Sequence, residues 1–114
     1  MSVVQVEGGR VEEAVHNIMR FAVETRTLTG NITLVKQSPT IQMLDPGGAA
    51  RTVTLPALVD SKGLVFLIAN KADALEVLTV KNAGAVTIVT PTQNEAAIVW
   101  SDGVTWSGMV GSTA

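Results

Sequence analysis

At 114 residues the chain is expected to form a single domain. It has no cysteine, one histidine and a net charge of −2, which leaves no disulfide, no thiolate nucleophile or ligand, and no basic stripe for a nucleic acid. Charged residues make up 16% of the chain and hydrophobic ones 46%, against about 25% charged in an average soluble domain, and so uncharged a surface suits a protein packed against other subunits.

The first ten residues, MSVVQVEGGR, carry no basic-then-apolar leader. They are expected to form a short extended arm, with Val3, Val4 and Val6 as contact residues. Between Val11 and Thr25, the residues Val11, Val15, Ile18 and Ala22 recur at steps of three and four, which marks one apolar helical face. Glu12 and Glu13 near its start suit the positive end of a helix dipole. The segment FAVET also has strand-like content. The reading is an N-terminal arm and helix over 1–25, with a β-rich body over 26–114.

From Arg26 onward the period changes to two. Ile32 and Leu34 alternate after Gly30-Asn31, Ser38-Pro39 breaks the chain, and Ile41 to Leu44 reads as a strand. Asp45-Pro46-Gly47-Gly48 is a turn signal, because proline presets one dihedral angle and glycine permits positive φ. Strands are then expected at Thr52 to Leu55, Leu64 to Ala69, Leu75 to Val80, Val86 to Val89 and Ala96 to Trp100, with a last one headed by Thr105-Trp106. Short strands at this spacing point to a mainly β fold, a small antiparallel β-sandwich, jelly-roll-like or barrel. The strands around Phe66 and Ile98 are apolar on both faces. One face meets the core, so a helix or a neighbouring subunit is expected to cover the other.

Residues with catalytic chemistry are sparse. His16 has no second histidine or cysteine to share a metal. Asp45, Asp60, Asp73 and Asp102 fall in expected loops, where aspartate usually bonds its own backbone and sets the turn. Their spacing gives no support to a calcium site or a glycosidase pair. No enzyme, cofactor or metal site is expected. No run of eighteen apolar residues is present to span a membrane. Trp100 and Trp106 are the only tryptophans, and tyrosine is absent. They are expected to pack at the end of the sandwich or at a subunit contact, with a ligand platform as the alternative. Val15, Ile18, Phe21, Trp100 and Trp106 complete the expected interface set.

The stretch from Met43 to Trp106 resembles a recurrent β-module of tailed-phage structural proteins. The resemblance rests on Leu55-Pro56, on the glycine-led apolar strand Gly63 to Asn70, on Val80-x-Asn82-x-Gly84, and on the closing Asp102-Gly103-x-x-Trp106. Such modules occur in head decoration proteins, head fibres and tail-fibre segments. Met1 and the short length suggest that the module is nearly the whole protein, which looks like a capsid decoration or cement protein. The resemblance implies the major capsid protein and the chain itself as partners, a homotrimer favoured and a homodimer possible. It also implies a place on the outer capsid surface after synthesis in a host cytoplasm. The alternative is a host-surface or glycan-binding module of a fibre or spike.

Overall fold

The computed structural model describes residues 20–113, and these form nine strands and no α-helix. The strands are β1 (Val23–Thr27), β2 (Ile32–Thr33), β3 (Ile41–Asp45), β4 (Arg51–Thr54), β5 (Val65–Asn70), β6 (Leu78–Lys81), β7 (Thr87–Val89), β8 (Glu95–Ser101) and β9 (Trp106–Ser112). They build a five-stranded sheet A, ordered β1-β3-β5-β8-β9, and a four-stranded sheet B, ordered β2-β4-β6-β7.

The sheets are mixed, which corrects the antiparallel expectation. β1, β3 and β5 pair in parallel, as do β2, β4 and β6. A parallel pair needs a crossover, most often a helix. Here the crossover is a strand of the other sheet, so the chain winds through three coils, each giving one strand to A and one to B. Backbone bonds carry the stacking past the strands and through the corners, with Leu28 N–H donating to the Asp45 carbonyl at 2.7 Å, Leu34 to Thr54 at 2.8 Å and Leu55 to Lys81 at 2.8 Å. After the third coil the direction reverses. β7 pairs antiparallel to β6, and β8 and β9 add antiparallel to β5 and β8.

One core lies between the sheets. Leu44, Phe66, Ile68 and Val99 reach it from sheet A, and Val53, Leu78, Val80 and Val89 from sheet B. Their alternation with less buried neighbours is the period-two pattern of half-buried strands. Burying a side chain of this size stabilises the fold by about 1.5–3 kcal/mol. Trp106 closes the core, stacked on Phe66 with ring centroids 6.2 Å apart.

The expected helix lies mostly outside the described residues, as do Val3, Val4, Val6, Val15 and Ile18. Its last six positions, Arg20 to Thr25, are described; none is helical, and Val23 to Thr25 belong to β1. Parallel partners opposite Ile41 to Met43 satisfy this backbone, and the β-branched content of Val23 and Thr25 favours the extended form. The inward side of β1 carries Glu24 and Arg26, paired at 3.9 Å. Charges pointing inward along an edge strand discourage another strand from adding there.

Candidate interaction surface

The turns are built from the residues expected to build them. Asp45 Oδ1 accepts the Gly47 N–H at 2.9 Å, and Asn82 Oδ1 accepts those of Gly84 and Val86, both at 2.9 Å. Asp102 Oδ1 accepts from Val104 and Thr105 at 2.8 Å each. The Thr105 and Val104 amides hold the Asp102 carboxyl below its usual range. At the other end of β8, the Thr92 amide and then its hydroxyl do the same for Glu95. Asp60 adopts a positive φ of 59° and faces Lys36 at 3.7 Å.

Asp73 takes a part that its spacing did not show. One carboxylate oxygen each of Asp45, Asp73 and Glu76 lie within 4.8 Å of one another. The register explains the meeting: Leu44 lies opposite Asn70, and the Lys71 N–H donates to the Leu44 carbonyl at 2.7 Å. The loop after β5 therefore starts beside the end of β3. Three carboxylates in this arrangement are chemically able to hold a hard cation.

Motif residues of the Met43–Trp106 stretch turn out to fasten the fold. The Trp106 indole Nε1–H donates to the Pro56 carbonyl at 3.0 Å. Buried Asn70 donates to the carbonyls of Glu76 at 2.8 Å and Pro91 at 3.1 Å, and accepts from the Ala72 N–H at 2.9 Å. Gly63 N–H donates to the Ser101 carbonyl at 2.9 Å. The Ser61 and Ser101 hydroxyls meet at 2.7 Å. Ser61 Oγ donates to the Leu58 carbonyl and Ser101 Oγ accepts from the Gly103 N–H. With one hydrogen each, Ser101 must then be the donor to Ser61.

The outer faces of the two sheets differ in kind. Across sheet A, the register places Val23, Ile41, Leu67, Ile98 and Met109 in one row over all five strands. One step along the strands lie Thr25, Met43, Ala69, Ala96 and Gly111. On the other side Val65 sits beside Trp100 and Ser107. No residue in these rows is charged. Phe21, Val23 and Met109 are 52%, 56% and 59% exposed, and a shallow depression runs along Leu67, Ala96, Ile98 and Met109. The outer face of sheet B is hydroxylated instead. Thr33, Thr54 and Lys81 share one row and Thr52 lies beside Thr79, with Asn31 Oδ1 accepting the Thr52 N–H at 2.8 Å.

Of the expected interface residues in the described part, Trp100 lies on the sheet A face, and Phe21 is exposed two residues before β1. Trp106 does not lie on that face: at 5% exposure it is a core residue. The sequence offered a signal for that face, the apolar character of both sides of the strands around Phe66 and Ile98. It offered none for Val23, Met43 or Met109, which join the face only through their cross-strand partners. Comparison of the chain with known protein families, with curated proteins and with solved structures finds no match.

Proposed function

We propose that the protein is a non-enzymatic structural module of a bacteriophage particle, a sandwich-like decoration or cement protein of the outer capsid surface. The observation that carries this reading is the set of uncharged rows across the outer face of sheet A, with Asp45 only at their end, set opposite the hydroxylated face of sheet B. A two-faced module of this kind has one side suited to another subunit and one suited to water. The resemblance of Met43 to Trp106 to tailed-phage β-modules supplies the setting, and the low charge of the chain agrees with a life among packed subunits.

Its work would be mechanical. A cement protein bridges adjacent capsid subunits, so parting them also breaks its own contacts, and repetition around the shell adds these contacts through multivalency. Preference for the mature lattice stabilises that lattice by mass action. The major capsid protein is the partner on this reading. Burial of Trp106 removes one of the two tryptophans from a sugar-stacking site, which favours decoration over the glycan-binding alternative.

The test is co-sedimentation of the purified protein with capsids emptied of DNA. Saturable binding, and greater heat resistance of the loaded capsids, are the expected results. Absence of binding at micromolar protein would overturn the reading.

A further inference from the structure

We propose that Asp45, Asp73 and Glu76 form a calcium site that ties the loop after β5 to the end of β3. The inference goes beyond the functional reading above and does not depend on it.

Two independent observations point to a cation. The first is convergence. One carboxylate oxygen from each of the three residues lies within 4.8 Å of the other two. Oxygens on opposite sides of a calcium ion stand about 4.6–5.2 Å apart, twice its usual bond length of about 2.3–2.6 Å, so all three fit one coordination shell. Three negative charges held this close repel one another. Among the described residues no lysine or arginine lies within ion-pair distance of them: the pairs are Arg26 with Glu24 and Lys36 with Asp60. Arg51, beside the turn, spends its guanidinium on the carbonyls of Pro46 at 2.8 Å and Gly47 at 3.5 Å.

The second is an orphaned atom. Oε1 of Glu76 is buried from solvent and has no hydrogen-bond partner. An ionised oxygen in that position has given up its water and gained no donor, which is strongly unfavourable. Among the described residues the only other side-chain atom in this condition is Gln42 Oε1, which belongs to an uncharged amide. The carboxylate that carries the Glu76 atom is the one that meets Asp45 and Asp73. A divalent cation among the three supplies the missing partner and offsets the repulsion together.

The surrounding backbone holds the carboxylates in place before any ion arrives. Asn70 fastens the loop after β5, donating to the Glu76 carbonyl at 2.8 Å and accepting the Ala72 N–H at 2.9 Å. The Glu76 N–H donates to the Ala74 carbonyl at 2.8 Å, which tightens the same loop. On the β3 side the Gly47 N–H fixes Asp45 Oδ1 at 2.9 Å. Asp73 is exposed, so water completes the shell on its side. Carboxylates on two irregular loops suit the flexible geometry of calcium better than the strict octahedron of magnesium. Three protein carboxylates open to water make a weak site, with a dissociation constant on the order of 10⁻⁴–10⁻³ M.

The experiment uses the full chain, stripped with a chelator and returned to chelator-free buffer. Thermal unfolding is followed in about 5 mM calcium chloride, above the dissociation constant of such a site, and in sodium chloride of equal ionic strength. Calcium is expected to raise Tm by about 5 °C or more over sodium, and calorimetric titration is expected to count one ion per chain. Asp73→Asn and Glu76→Gln keep the size of each side chain and remove a charged ligand. Each is expected to lose the calcium shift, and without calcium neither is expected to melt below the wild type, because repulsion is relieved. Asp60→Asn, at an exposed loop aspartate outside the cluster, is expected to keep the full shift. Far-UV circular dichroism shows that each variant is folded.

A wild-type shift no larger in calcium than in sodium overturns the inference, and so does a calcium shift that folded Asp73→Asn and Glu76→Gln both retain. An equal rise in magnesium chloride overturns the assignment to calcium.

Discussion

The indole nitrogen of Trp106 lies 3.0 Å from the carbonyl oxygen of Pro56, fifty residues earlier in the chain. That bond joins the start of the last strand to the end of β4 and so ties sheet A to sheet B. It also gives the buried indole the one partner it needs, while its ring stacks on Phe66. The Leu55-Pro56 and Asp102-to-Trp106 elements are thus two halves of one fastening.

Separating the ring from the donor tests this. Trp106→Phe keeps an aromatic ring against Phe66 and leaves the Pro56 carbonyl without its donor, which should cost about 1–3 kcal/mol. Trp106→Ala also empties the site and should cost about 3–5 kcal/mol. Urea unfolding of both variants gives the comparison. A Trp106→Phe variant as stable as the wild type would show that the hydrogen bond contributes nothing beyond ring packing.

Much of the strand content was legible because it is local. Alternation and turn residues are written into neighbouring positions, and Asp45 to Gly48 or Asn82 to Gly84 needs no distant partner to act. Pairing was not legible. Whether Ile41 meets Val23 in parallel or another strand in antiparallel depends on a residue eighteen positions away, and alternation is the same in both cases. The same limit hid the meeting of Asp45 with Asp73 and Glu76, which follows from the Leu44–Asn70 register rather than from spacing. Trp106 was left open between packing and a subunit contact because tryptophan suits a core and an interface equally well; only the position of Pro56 decides between them.

Asn70 is the second fastening, and its chemistry makes a sharper test than its size. Fully buried, it uses both amide hydrogens and its oxygen on backbone groups of Glu76, Pro91 and Ala72. Asn70→Ala leaves those groups unpartnered and should cost about 3 kcal/mol or more. Asn70→Asp keeps the shape but sets a carboxylate oxygen against two carbonyls. It should therefore unfold at a lower urea midpoint than the alanine variant at neutral pH. A milder effect of aspartate would mean that the site tolerates a charge and that the two carbonyls turn away.

Acid should weaken the fold through two exposed carboxylates. Glu95 and Asp102 both have folded-state pKa values lowered by hydrogen bonds from neighbouring amides. A lowered folded-state value means the stabilisation is present above the ordinary carboxylate range and is lost as pH falls through the lowered value. Thermal unfolding followed from about pH 6 to about pH 2 should show that decline beginning near pH 4. Glu95→Gln combined with Asp102→Asn retains an acceptor oxygen at each site and removes the titration. The double variant should show a shallower acid limb, and an unchanged limb would assign the acid sensitivity to other groups.

Two adjacent glycines in one turn should respond differently to the same substitution. Gly47 and Gly48 both hold positive φ, 77° and 101°, so alanine at either is strained by about 1–2 kcal/mol. Around Gly48 there is open space, and nothing further is lost. At Gly47 a Cβ would run into the carbonyl oxygen of Leu28 and crowd the Thr27 methyl at 3.2 Å. Leu28 is the corner of the first coil, hydrogen-bonded to Asp45 immediately before the turn. Relieving the clash must therefore shift one coil on the next. Gly47→Ala should lose at least twice the stability that Gly48→Ala loses in urea unfolding. Equal losses would mean that the turn after β3 does not press on the first coil, and that only backbone strain sets the cost.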